Sequence, residues 1–226
     1  MKISVIIPTL NEATIIESSL RRAWECGADE VVVCDGGSSD ATLSIASSNC
    51  TLVESEPGRG IQLNAGARIA TGEVLLFLHA DNWLTRDGCQ QIRNSASLFK
   101  TPICGAFRQR IEADQLAYRL IEFGNRLRVS LFSMAYGDQG IFVSRSLFES
   151  LGGFEEIPLL EDFSFSRRLR KQHRYRLLKG PLFVSPRRWK KNGAIGQTLA
   201  NWNTVLAYYR GVSPVELANA YHRTEK

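Results

Sequence analysis

Seven acidic side chains stand where they could do chemistry: Glu12, Asp35, Asp40, Asp81, Asp138, Glu161 and Asp162. Several follow short apolar runs directly. Thr9-Leu10-Asn11-Glu12 closes the run at 2–7, Asp35-Gly36-Gly37-Ser38-Ser39-Asp40 the run at 30–34, and His79-Ala80-Asp81 the run at 73–78. The two glycines after Asp35 let backbone come close to a flat or phosphorylated ligand. No GxxxxGK[ST] or GxGxxG loop is present; after Gly58-Arg59-Gly60 the third glycine comes only at Gly66. A bound diphosphate would therefore need a metal or cations. Asp81 is placed to recruit the first, and the basic stretch from Arg167 to Lys191 supplies the second. Each acid also has a plainer use. Asp40 stands ahead of a helix and reads first as a cap, Asp138 suits a turn, and Glu161-Asp162 suits an acidic helix N-terminus.

The elements that must position these residues are legible from periodicity. Residues 2–7, 30–34, 50–54 and 73–78 read as strands, with helices over about 12–26, 42–48 and 61–70 between them. Asn11 is expected to cap the first helix. Continuous apolar strands alternating with helices imply a mostly parallel sheet covered on both faces, with ligands at the carboxyl ends of the strands. In the second half, 103–111 and 175–184 read as strands and Gly137-Asp138-Gln139-Gly140 as a turn into another. Glu161-Asp162 opens a helix to about Lys171. Leu116, Leu120, Phe123, Leu127 and Leu131 mark an amphipathic helix whose apolar side is expected to face the core. Ile195, Leu199, Trp202, Leu206 and Tyr209 mark the last long helix.

At 226 residues the chain is expected to form one domain, with a ligand-binding half at 1–100 and a second half at 101–226. Its composition excludes a disordered or collagen-like chain. The net charge of +5 is unevenly spread: 14 Lys and Arg against 21 acids up to Asp162, then 14 against 2. Five cysteines without CxxC spacing read as free thiols in a reducing compartment, not a zinc site. The apolar run at the start is too short for a signal peptide. A cytoplasmic protein is expected, with peripheral contact at the inner membrane face compatible with the basic end.

Five segments in order resemble one family. Ile6-Ile7-Pro8-Thr9-Leu10-Asn11-Glu12 resembles the opening of a family 2 glycosyltransferase of GT-A fold. Asp35-Gly36-Gly37-Ser38-Ser39-Asp40 resembles its second nucleotide-binding loop, and 58–66 its third segment. Leu78-His79-Ala80-Asp81 lies where the family has DxD. Gly152-Gly153-Phe154 followed by Glu161-Asp162 resembles the acceptor-side segment ending in ED. Gly211-Val212-Ser213-Pro214 is similar to short soluble members associated with arsenosugar biosynthesis.

This resemblance implies a GT-A fold: a single mixed, mostly parallel sheet flanked by helices with a Rossmann-like nucleotide half. It implies a sugar-nucleotide donor, most simply UDP-linked, a divalent metal (Mn2+ or Mg2+), and a small-molecule or lipid acceptor. Pro8, Glu12, Asp35, Gly37, Arg59 and Asp138 would bind nucleotide or substrate. Glu12 and Asp35 suit the ribose and base, whose hydroxyls and N–H are donors. Asp81, with His79 at the first DxD position, would hold the metal. Asp162, with Glu161 beside it, would be the general base, the repulsion between the two raising one pKa. Arg187 and Arg188 would hold diphosphate. Ser185 stands where polymerases of the family have the Gln of QxxRW, which argues against a polysaccharide synthase. Two other readings remain at this point. A nucleotidyltransferase is disfavoured because residues 8–22 hold no Gly or Lys. A non-catalytic RNA- or membrane-binding module is motivated only by the basic stretch, and no nucleic-acid motif is present.

Overall fold

The computed structural model describes residues 1–98, 102–187, 189 and 193–225. Strands β1 (Ile3–Thr9), β2 (Glu30–Asp35), β3 (Thr51–Glu54), β4 (Val74–Phe77), β5 (Asn82–Leu84), β6 (Cys104–Ile111), β7 (Phe142–Ser144) and β8 (Arg176–Val184) form one sheet. Its order is β3-β2-β1-β4-β7-β6-β8-β5. β3, β2, β1 and β4 run parallel; β7 runs antiparallel to β4 and β6, and β5 antiparallel to β8. The sheet is thus mixed, with a parallel first half, as expected.

Nine helices are described: α1 (Ile16–Glu25), α2 (Thr42–Ala46), α3 (Arg59–Ile69), α4 (Gly88–Ser97), α5 (Leu116–Phe132), α6 (Arg145–Ser150), α7 (Glu161–Leu169), α8 (Ala194–Tyr209) and α9 (Pro214–Glu225). The continuous apolar strands are explained by burial on both faces. Ile3, Val5 and Ile7 of β1 pack with Ile16 and Leu20 of α1 and Ile92 of α4. Ile6, on the opposite face, packs with Leu63 and Ala67 of α3 and Phe165 of α7. Gly66 is the contact that allows α3 so close: a Cβ there would lie 2.2 Å from Cys34 Sγ and 2.7 Å from a methyl of Ile6. The glycine serves packing, not phosphate.

Sheet register sets the level of the loops. Thr9 pairs with Asp35, and Asp35 with Glu54, so β1, β2 and β3 end together. Leu78 N–H donates to Ile6 O, which keeps the end of β4 beside them. Because β7 is antiparallel to β4, the 3-10 turn Gly137–Gln139 that precedes it reaches the same edge. Asn82 of β5 pairs with Val184 of β8, which carries the residues after β8 back to Asp81.

Two expectations are corrected. Asn11 does not cap the first helix: it stands at φ 55°, accepts from Ser39 N–H through its Oδ1, and α1 begins at Ile16. The α5 stripe does not face the core. Leu116, Leu120, Phe123, Leu127 and Leu131 are exposed, and within α5 only Tyr118 and Val129 are buried. A period near 3.6 reports that a helix has an apolar side, not where that side points. The expected free thiols are present, with Cys26 and Cys89 Sγ atoms 3.6 Å apart in the core. Gly211-Val212-Ser213-Pro214 is a helix–helix turn: Gly211 has φ 91°, and Ser213 and Glu216 exchange the two bonds of a capping box at the start of α9.

Candidate active site

A cleft of about 160 Å3 lies at the strand-end edge. It is lined by His79 and Asp81 after β4, Asp138 in the 3-10 turn, Arg59 at the start of α3, and Glu161 and Asp162 at the start of α7. Six of the sequence-derived candidates therefore converge, from segments more than a hundred residues apart.

Each is held by its element. Glu161 is 3% exposed and its Oε1 lies 3.5 Å from Arg59 Nε, so the first turns of α3 and α7 are joined by an ion pair. Asp162 turns the other way: its Oδ2 accepts from Gly137 N–H at 2.6 Å and its Oδ1 from Phe163 N–H at 2.6 Å. The two adjacent acids thus reach different partners. His79 Nε2 packs on Gly137, where a Cβ would meet it at 2.7 Å and Asp162 Oδ2 at 3.3 Å, so imidazole, glycine and base candidate are layered. Asp81 Oδ2 lies 3.2 Å from Arg187 Nη2. Asp138 is fixed through its backbone, whose carbonyl accepts from Gln109 Nε2 at 2.9 Å.

The β1 and β2 candidates stand beside this cleft and not in its lining. Glu12 is half-buried; burial raises its pKa, Arg187 lowers it, and Asp81 and Asp40 raise it further, which places Glu12 in the field of the Asp81 site. Asp35 is fully buried and accepts from Thr9 Oγ1, Gly37 N–H, Ser38 N–H and Ser38 Oγ. It is a loop-shaping carboxylate in this state, and Gly37 at φ 90° supplies the bend it closes on. Pro8 lies in β1 opposite Cys34. Asp40 accepts from Thr42 N–H and Ala13 N–H and so ties the loop together, but the N-cap position of α2 is Ala41, which corrects the cap expected of Asp40. Arg188 lies outside the described residues.

The donor set suits a metal completed by a ligand. Among the described residues no group of three or more His, Cys, Asp and Glu could hold a metal alone. One carboxylate with an imidazole on the same loop fits a cation that takes its other oxygens from a diphosphate, since Mg2+ is commonly bound through one or two carboxylates plus phosphates. Arg187 on Asp81 marks the spot as one that attracts positive charge.

A model of the glycosyl transferase family 2 matches residues 4–152. The chain belongs to that family. A PGL/p-HBAD biosynthesis glycosyltransferase of Mycobacterium tuberculosis is 38% identical over 91 residues, 36% of this chain and 36% of that protein. The O-antigen chain rhamnosyltransferase RfbN of Salmonella typhimurium is 28% identical over 188 residues, 73% of this chain and 59% of that protein. The matches thus span between about a third and three-fifths of these relatives' lengths. Among solved structures, the mannosyltransferase PcManGT of Pyrobaculum calidifontis, in complex with GDP-Man and Mn2+, superposes with TM-score 0.61 at 26% identity over 99% of this chain and 68% of its own. TarS of S. aureus, in complex with UDP-GlcNAc, gives TM-score 0.64 at 20% identity over 82% and 58%. The fold is that of the GT-A glycosyltransferases.

The family 2 cleft also contains residues that sequence reasoning missed. Tyr136 lines it with its ring 3.4 Å from the Arg128 guanidinium carbon, and burial raises its phenol pKa. Gln197, Asn201 and Thr204 of α8 and Tyr221 of α9 form its far wall. The α8 residues were detectable: spacings of 4 and 3 make a polar stripe beside the apolar one.

Three of the described cations of the basic stretch are taken by neighbours within the fold. Arg168 Nη2 donates to Gly153 O at 2.6 Å, Arg176 Nη1 to Ser95 O at 2.7 Å, and Arg187 pairs with Asp81. These three cations brace the fold from within.

Proposed function

We propose that the chain is a metal-assisted glycosyltransferase that moves one sugar from a nucleotide-sugar donor, most simply UDP-linked, to a small-molecule or lipid acceptor, with inversion. The observation that carries it is the convergence of Asp81, Arg59 and Asp162 on one cleft of a family 2 chain. Family membership also sets this reading above a nucleotidyltransferase.

Glu12, and the loop that Asp35 and Gly37 shape beside Pro8, hold the ribose and base. Arg59 and Arg187 face the diphosphate, and Arg187 must leave Asp81 when donor arrives. Arg188 is proposed alongside Arg187 from sequence alone. A divalent cation held by Asp81 and His79 would offset charge on the departing diphosphate. Asp138 binds acceptor hydroxyls. Asp162 takes the proton from the acceptor hydroxyl as that oxygen bonds to the anomeric carbon and the carbon–phosphate oxygen bond breaks, releasing the nucleoside diphosphate. Glu161, paired with Arg59, positions the start of α7. The resemblance to arsenosugar-associated members is consistent with a single transfer, although the residues at 211–214 form only a turn. The reading places the enzyme in the cytoplasm as a single domain. Incubation with a panel of UDP- and GDP-sugars and Mn2+ tests it: slow donor hydrolysis or thermal stabilisation by the nucleoside diphosphate is expected. No nucleotide binding with any divalent metal would sink it.

A further inference from the structure

The strongest feature the active site does not absorb is the outward side of α5 and α8. Leu116 is 81% exposed and Leu120 72%, and Phe123, Leu127 and Leu131 continue the stripe. On α8, Ile195 is 73% exposed and Trp202 66%, with Leu199, Leu206 and Tyr209 completing a second stripe. The two helices pack against each other. A surface helix ordinarily turns its polar side to water, and these two neighbours turn their apolar sides. Exposed apolar area on this scale marks an interaction surface.

Charge selects the partner. α8 has no Asp, Glu, Lys or Arg in its 16 residues. Its ends are basic: Lys190 and Lys191 precede it in sequence, and exposed Arg210 forms its C-cap. Exposed Arg126 sits between Phe123 and Leu127 on α5. From residue 163 onward the chain carries 14 cations against 2 acids. A second copy seated on this face would bring two such segments together, with repulsion between them. An anionic lipid surface has the opposite charge, and Trp, Tyr, Phe and Leu flanked by Arg and Lys are the residues of helices lying in a membrane interface.

We propose that α5 and α8 dock this protein in-plane on an anionic membrane surface. No helix among the described residues is long and apolar enough to cross a membrane, so the contact is peripheral. The other side of α8, through Gln197, Asn201 and Thr204, walls the cleft. Docking on α8 therefore sets the cleft one helix away from the bilayer, and, resting on the glycosyltransferase reading, this proximity favours the lipid class of acceptor over the freely soluble one.

Co-sedimentation with phosphatidylcholine vesicles, with and without phosphatidylglycerol, tests the docking. Binding is expected on the anionic vesicles, weakening as salt rises, and falling by about tenfold or more in Leu120→Glu and Trp202→Glu. Thermal stabilisation by UDP and Mn2+ should be the same in both variants as in the parent, showing an intact fold and donor cleft. Loss of that stabilisation in every form would strike the donor reading and leave vesicle binding as a separate result. The docking proposal is overturned by no sedimentation with either vesicle, by equal binding to both, or by binding unchanged in the variants. A stable dimer dispersed by Leu120→Glu would assign the face to a second copy and overturn it too.

Discussion

Arg187 Nη2 and Asp81 Oδ2, 106 positions apart in sequence, stand 3.2 Å from each other because β5 and β8 pair immediately beside them. Both side chains are partly exposed, at 59% and 32%, and such a pair contributes only about 0–1 kcal/mol to stability. Its value is positional. Asp81→Ala is therefore expected to leave the melting temperature nearly unchanged while UDP affinity in Mn2+ drops by about tenfold or more. Differential scanning fluorimetry and isothermal titration on the same samples check both halves.

Asp162→Asn separates binding from chemistry. The amide oxygen can still accept from Gly137 N–H, which keeps the layered contact with His79, at the loss of the bond from Phe163 N–H. A general base contributes on the order of 10^2–10^4-fold, so turnover should fall by that factor while donor affinity stays within about twofold. Steady-state transfer or donor hydrolysis, read against UDP titration, checks it.

Glu12 gives the pH dependence. Burial raises its pKa above the ordinary 4.5, so in the folded protein it protonates at a higher pH than an exposed Glu. It must be ionised to accept from the ribose without an added proton. Donor affinity should thus weaken as pH falls through a midpoint above 4.5, and Glu12→Gln should abolish that dependence. The stability sign is opposite. A raised folded-state pKa means the folded state binds the proton more tightly than the unfolded one, so this group's contribution worsens as pH rises through the window between the two pKa values. At neutral pH Glu12→Gln should raise the melting temperature slightly while weakening the donor. Thermal melts and UDP titrations across pH check both.

Gly66 tests how the nucleotide half is packed. Gly66→Ala drives a Cβ to 2.2 Å from Cys34 Sγ, and burial on both sides leaves α3 little room to retreat. A loss of about 1–3 kcal/mol is expected from overpacking, measured by urea denaturation. Unchanged stability would show that α3 can move away from β1 and β2 to make room.

The parallel half of the fold was legible because β1, β2 and β4 are covered on both faces, which writes continuous apolar runs into the chain. β5 was not: three residues, Asn82–Leu84, are too few to show a period. α4 was hidden by its composition, with Gln90, Gln91, Arg93 and Asn94 around only Cys89 and Ile92 in the core. The acids of the cleft were visible from strand-end placement and from resemblance to the family. Their mutual arrangement was not, since Asp162 meets Gly137 and Glu161 meets Arg59 only through antiparallel β7 and the packing of α7 on α3. The α5 stripe was read correctly as a helix and wrongly as core, because periodicity carries no direction.

The donor cleft is tested most directly by titrating UDP into the parent protein with Mn2+ and again with EDTA, alongside Asp81→Ala and Asp162→Asn. Binding should be saturable with Mn2+, weaker by about tenfold or more in EDTA and in Asp81→Ala, and intact in Asp162→Asn. Binding that is equal with and without metal and in Asp81→Ala, or absent throughout, would contradict a metal-assisted nucleotide-sugar site at this cleft.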